Sequence, residues 1–176
     1  MNIVMKDSRR LTFISEKSQS QLNELWQNCF EGEGNQKHMN DYVPFPVTHQ
    51  WQLDGFLTRE HNYSSWLIRR AEEGDIIGFV IHGNFFPGLP NNVGLNIGLN
   101  YTGKGYATET MKCLLEYIRE NGHTETFGHC LEANRPSMML MERCGFERMG
   151  PTGKSYGGRS EIKFKIKLVQ IIERTY

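Results

Sequence analysis

Apolar positions along the chain switch between a helical period and a period of two, and the switches mark the elements. Leu11 to Ile14 is a short apolar run that reads as a first strand. Leu22, Leu25, Trp26 and Cys29 share one helical face, with Ser18 or Ser20 placed to cap it. Residues 31–47 have glycine and proline interruptions and no period, so an irregular segment is expected there. Thr48 to Thr58 returns to helical spacing. Ser65–Arg69 and Ile76–Ile81, joined by Glu72-Glu73-Gly74-Asp75, read as an antiparallel hairpin. Asn84 to Pro90 is then a loop, and Val93 to Leu99 a third strand.

The clearest amphipathic pattern follows. Ala107, Met111, Leu114, Leu115 and Ile118 fall on one helical face, with Glu109, Lys112, Glu116 and Arg119 elsewhere, and Asn121-Gly122 supplies a stop. Thr124 to Leu131 is the next strand, parallel to Val93–Leu99 because a helix connects them. Asn134 is placed to cap a helix ending at Gly145, with Pro136 tolerated in its first turn. Phe146 to Met149 opens a strand, and Gly153 to Arg159 reads as a loop. In Glu161–Val169, Ile162, Phe164, Ile166 and Leu168 point inward. Lys163, Lys165 and Lys167 point outward, a solvated row expected to discourage edge pairing. The pattern predicts an α+β fold: a mixed, mainly antiparallel β-sheet flanked by helices on both faces, in one domain spanning residues 1–176.

The turn Gly103-Lys104-Gly105 carries the chemistry. It leads straight into a helix N-terminus, where unpaired N–H groups and the positive dipole end favour an anion, and its glycines let a ligand approach the backbone. A dinucleotide fingerprint would need a third glycine where Thr108 stands. A Walker A loop would need a hydroxyl where Gly105 stands.

Thr102-Gly103-Lys104-Gly105-Tyr106-Ala107 resembles the pyrophosphate loop of the GNAT N-acetyltransferases. Asn134-Arg135-Pro136-Ser137 and Glu142-Arg143-Cys144-Gly145-Phe146 resemble that family's next motif, at the expected spacing of one helix and one strand. GLNIGLNYTGKGYATET is similar to the RimJ/RimL-type branch, which acetylates protein N-terminal amines and small amines. The resemblance implies a GNAT-like sheet and acetyl-CoA as cosubstrate. It implies a primary-amine acceptor, either a protein N-terminus or a small molecule, attacked directly in a ternary complex.

By the same resemblance, the backbone of Gly103, Lys104, Gly105, Tyr106, Ala107 and Thr108 grips the pyrophosphate. Leu95, Asn96 and Ile97 polarise the acyl carbonyl and meet the pantetheine where the strand splays, and Gly98 suits a bulge or close ligand approach there. Asn134 and Ser137 approach the pantetheine and sulfur, Ser137 as proton donor to the thiolate. Three positions depart from the family pattern: Thr102 in place of Gln or Arg, Met141 in place of a tyrosine acid, and Asn92 in place of a glutamate base. The base then falls to another group. His129 is the candidate with a suitable ordinary pKa, and Glu31, Glu33, His38 and Asp41 could attract a cationic amine. The departures leave open a non-catalytic acyl-CoA-binding module that has lost its base.

Composition narrows the setting. Twenty basic and twenty acidic residues balance, so no nucleic-acid or membrane partner is expected. The four cysteines form no CxxC pair, which points to buried thiols in a reducing compartment and to no metal site. No stretch approaches the ~20 apolar residues of a membrane span. A cytoplasmic enzyme is expected, with edge strands that would allow a homodimer.

Overall fold

The structure, a computed structural model, describes residues 4–41, 46–58, 62–85 and 90–169. In chain order these form β1 (Leu11–Ile14), α1 (Gln19–Cys29), α2 (Glu33–Asn40), α3 (Gln50–Thr58), β2 (Tyr63–Arg70) and β3 (Ile76–Gly83). Then come β4 (Asn92–Ile97), a 3₁₀ turn at Leu99–Tyr101, α4 (Tyr106–Glu120), β5 (Glu125–Leu131), α5 (Arg135–Arg143), β6 (Glu147–Tyr156) and β7 (Arg159–Lys167). The strands make one sheet in the order β1-β2-β3-β4-β5-β7-β6, antiparallel throughout except for β4 and β5.

Alternation along the strands gives the sheet two apolar faces, and each is covered by helices. On one face, Val93, Ile162 and Phe164 pack with Met111, Leu114 and Ile118 of α4 and Met141 of α5. On the other, Leu67, Phe79 and Ile81 pack with Leu22 and Leu25 of α1, Met39 of α2 and Leu53 of α3. Ser18 caps α1 with a full capping box: its hydroxyl accepts from Gln21 N, and the Gln21 side chain accepts from Ser18 N.

Three expectations are corrected. Residues 31–47 are not irregular throughout, because α2 forms within them. Gly32 (φ +87°) makes the entry turn, Lys37 and His38 lie at the negative dipole end, and buried Met39 anchors the helix. Residues 42–45 of that stretch, like 86–89 of the expected loop, lie outside the described residues. Gly153–Arg159 is not a loop. β6 and β7 run through it as a hairpin, turned by Gly157-Gly158 (φ +58° and +76°), with Tyr156 opposite Arg159. The lysine row does not guard an edge, because β7 lies between β5 and β6. Lys163 Nζ stands 4.3 Å from the Phe127 ring centroid, and Lys165 pairs with Glu125 at 2.6 Å.

The one parallel seam shapes the site. β4 and β5 pair only at Asn92–Phe127 and Val93–Gly128, and beyond that point the two strands part. Asn91, in the left-handed region (φ +57°), clasps the closed end. Its side-chain amide donates to the Glu125 carbonyl, while its own carbonyl accepts from Phe127 N at 3.1 Å and Thr126 Oγ1 at 2.6 Å.

Candidate active site

The Gly turn and the split seam meet at α4. Gly105 is the N-cap in a left-handed conformation (φ +85°), Gly103 also has positive φ (+73°), and no side chain among the described residues caps the helix. The turn therefore offers main-chain N–H groups and a positive dipole end toward an incoming anion, which fits a pyrophosphate. Lys104 is folded back, with Nζ donating to the Asn100 carbonyl at 2.9 Å. On the far side, Arg10 donates to the Lys104 carbonyl at 3.1 Å and to Glu109 Oε2 at 2.6 Å, which braces the loop. Arg143 of α5 reaches Thr108 Oγ1 in the first turn, at 3.4 Å. Sequence reasoning missed this exposed cation, because the approach of α5 to α4 is tertiary.

A cavity of about 490 Å³ lies along the split and is lined from both faces of the sheet. From the α4–α5 side come Met111, Cys130, Asn134, Ser137, Leu140 and Met141, and Leu95 and Asn96 line the split itself. α4 thus runs from the Gly turn to the cavity, with Met111 about 9 Å along the axis from Gly105. Leu95 lies past the last β4–β5 pair, so its main-chain groups are not bonded to β5, whereas Asn96, opposite Phe79, turns its main-chain groups to β3. Ile97 does not line the cavity. It pairs with Gly78, and its carbonyl lies 3.0 Å from His38 Nε2. Gly98 belongs to packing, since a Cβ there would lie 2.8 Å from Cys29 Sγ of α1.

The expected proton-handling residues converge on this cavity. Asn134 Oδ1 accepts from Ser137 N at 3.2 Å and caps α5. Burial pushes the Cys130 thiol up to about 11, with the neighbouring Ser137 hydroxyl pulling the other way. His129 faces the opposite side of the sheet. Neither of its ring nitrogens has a hydrogen-bond partner among the described residues. Burial first, then Lys163 and Lys154, pull its pKa down to about 4, so the imidazole is neutral near pH 7. Met141 is buried, with its terminal atoms where a Cβ on Gly128 would stand. Asn92 is fully buried at the closed end of the seam and does not line the cavity.

One acid was missed. Glu161, 4% exposed, begins the run that alternation assigned to a solvated face, yet it pairs with Leu131 and lines the cavity. It lies on the diagonal from His129, whose direct partner is Lys163. Its Oε2 accepts from Thr152 Oγ1 at 2.8 Å. Among the described residues it is the cavity's one carboxyl group. The signal for it lies in the β5–β7 pairing, and local sequence does not carry that pairing.

A glycine turn at a helix N-terminus stands at one end of a split sheet, beside a mainly apolar cavity with one buried acid among the described residues. The acetyltransferase (GNAT) domain family matches residues 18–147, and the chain belongs to that family of N-acetyltransferases. The uncharacterized N-acetyltransferase YnaD of Bacillus subtilis (strain 168) is 26% identical over 128 residues, 71% of this chain and 75% of its own. A GNAT-family acetyltransferase from Bacillus anthracis shares the fold with a TM-score of 0.76 at 20% identity, over 93% of this chain and 97% of that one. RimL, a ribosomal L7/L12 α-N-protein acetyltransferase solved with coenzyme A, aligns at 0.75 and 16% identity over 93% and 97% of the two chains. Spermidine N-acetyltransferase from Vibrio cholerae, solved with CoA and spermine, aligns at 0.71 and 15% identity over 93% and 98%. Among the described residues no helix is long and apolar enough to cross a membrane, and no cluster of His, Cys, Asp and Glu could hold a metal ion.

Proposed function

We propose that this chain transfers an acetyl group from acetyl-CoA to a primary amine by direct attack within a ternary complex. Bound acetyl-CoA supplies the thioester acyl group. The α4 N-terminus, from Gly103 to Thr108, holds the pyrophosphate, with Arg143 able to swing onto it. The main-chain N–H of Leu95, freed by the split, meets the pantetheine and the negative charge that develops on the acyl oxygen.

The observation that carries this reading is Glu161, a buried carboxyl group facing the open seam. Glu161 takes the proton that the ammonium loses before attack, and as the C–N bond forms and the C–S bond breaks the second nitrogen proton passes to solvent. Ser137 gives one to the departing thiolate and recovers it from solvent. Neutral His129, beside Glu161, offers the amine a hydrogen-bond partner before transfer. With a base so close, even an amine that is mostly protonated at neutral pH comes within reach.

Cys130, the cysteine that lines the cavity, is no covalent relay in this reading: burial pushes its thiol up to about 11, far from the thiolate form. The four free thiols fit a reducing cytoplasm. RimL and the spermidine enzyme act on amines by their names, which supports an amine acceptor here. The test is an acceptor screen with labelled acetyl-CoA on wild type and Glu161→Gln. Transfer by the wild type that the variant loses is expected. Tight acetyl-CoA binding without transfer to any amine would favour a non-catalytic binding module.

A further inference from the structure

The half of the cavity beyond the split, on the α1–α3 side, is walled by aromatic and aliphatic groups. Phe56, Phe79 and Phe85 line it with Met39, Leu53 and Ile81. The rings are packed as a unit: Phe56 stands edge-on to Phe79 at 6.3 Å and tilted on Tyr63 at 5.4 Å, and Tyr63 meets Phe85 edge-on at 6.0 Å. Gly94 of β4 allows this wall to close on the seam, because a Cβ there would lie 2.8 Å from Ile81 Cγ1 and 3.3 Å from Phe85 Cζ.

The polar groups on this side are few, and two are already engaged. The amide of Asn40 bonds Val47 at both its nitrogen and oxygen ends (2.9 and 2.8 Å), and Gln52 Oε1 accepts from Thr48 N and His49 N at 2.9 Å each. Among the described residues Asn96, His129 and Glu161 remain on this side. The cavity therefore presents, among the described residues, one carboxyl group where the acyl group arrives and an apolar body away from it.

We propose that the acceptor is a small primary monoamine whose nitrogen lies within a few carbons of an aromatic or branched aliphatic group. The inference rests on the amine-acetylating reading above and specifies its substrate. Glu161 receives the single ammonium, and the Phe56–Phe79–Phe85 wall receives the body. A polyamine would carry its second ammonium into that wall, where no carboxyl group lines the cavity among the described residues and a stripped charge is costly. A serine-like polar N-terminus would leave the wall unfilled.

The experiment measures kcat/KM for ethylamine, butylamine, 2-phenylethylamine, spermine and a Ser-led tripeptide. Acetyl-CoA binding is followed in parallel by thermal shift. A rise of about 10-fold or more from ethylamine to 2-phenylethylamine is expected, with spermine and the tripeptide below 2-phenylethylamine by a similar factor. In Phe56→Glu, a second carboxyl group enters the apolar end, and the ratio of spermine to 2-phenylethylamine should rise about 10-fold or more. Phe56→Ala, a milder change, should lower the ratio of 2-phenylethylamine to ethylamine use about 10-fold, with the acetyl-CoA shift reporting that the cofactor site is intact. Preference for spermine or the tripeptide, or a flat series, overturns the proposal while leaving the acetyltransferase reading intact. Loss of the acetyl-CoA shift in the wild type would instead sink both.

Discussion

The Thr152 hydroxyl donates to Glu161 Oε2 at 2.8 Å, joining the edge strand β6 to the buried acid of β7. A register shift between Pro151 and Ser155 interrupts the β6–β7 ladder at Thr152. One carboxyl oxygen is thereby held, and the group's orientation is fixed beside the cavity. Glu161→Gln keeps the size of the side chain and its acceptor for Thr152 but removes the proton acceptor. Its kcat/KM should fall about 10²- to 10⁴-fold with the acetyl-CoA thermal shift retained. Thr152→Val should reduce turnover less, because the acid is loosened and not lost. A Glu161→Gln enzyme as active as wild type would remove Glu161 from the proton path.

The cradle depends on backbone conformation. Gly105 sits at φ +85°, and a Cβ there would stand 3.4 Å from the Arg10 guanidinium that braces the loop. A β-branched residue at that φ is strained, so Gly105→Val should shift the turn and misdirect its N–H groups. Acetyl-CoA at a hundred times its dissociation constant should stabilise wild type by about 2.7 kcal/mol, and the variant should gain little. Equal melting shifts for the two proteins would place the phosphates elsewhere.

The fold was largely legible because its signals are local. Residues 107–118 carry an unbroken helical stripe, the glycines bracket it, and Asn134 has a cap's chemistry. What escaped depends on partners distant in sequence. α2 was hidden by Gly32 and Gly34, yet Gly32 only makes the entry turn, and Met39 finds its core when α1 and α3 close over it. The lysine row was assigned to an edge because alternation reports which face a residue is on and not which strand lies beside it. The same blindness concealed Glu161, whose depth comes from β5 on one side and Thr152 on the other. Gly98 drew attention as a ligand contact, whereas its missing side chain makes room for Cys29.

The thiols give a prediction about reactivity. Cys29 and Cys130 are buried, and that burial raises both well above the ordinary thiol range. A disulfide-exchange reagent at pH 7.5 should label them only as the chain unfolds, and Cys113 and Cys144, half-buried, should react first. Acetyl-CoA, which shares the cavity with Cys130 in our reading, should slow labelling of that residue further. Rapid native-state reaction at Cys130 would reopen a covalent relay.

Acid should weaken the closed end of the seam through His82. His82 is 7% exposed, and its Nε2 lies 2.7 Å from Asn91 Oδ1. Because the other end of that amide donates to the Glu125 carbonyl, Oδ1 must accept, and the proton of neutral His82 sits on Nε2. Burial lowers the pKa to about 4 against an ordinary 6.5; the Asn91 bond opposes this, and neighbouring His123 adds to it. As pH falls, the unfolded chain takes up this proton first. The stability contributed is therefore complete above pH 6.5 and is lost as pH drops toward 4. At about 1.4 kcal/mol per pH unit, the loss is on the order of 3 kcal/mol. Other groups titrate in the same range, so the diagnostic quantity is a difference. Urea unfolding of wild type and His82→Gln at pH 7 and pH 4.5 should show the smaller acid loss in the variant, whose uncharged amide can still donate to Asn91. Identical losses would mean that His82 takes up its proton in the folded state near the ordinary pH, and that the clasp at Asn91 is open to water.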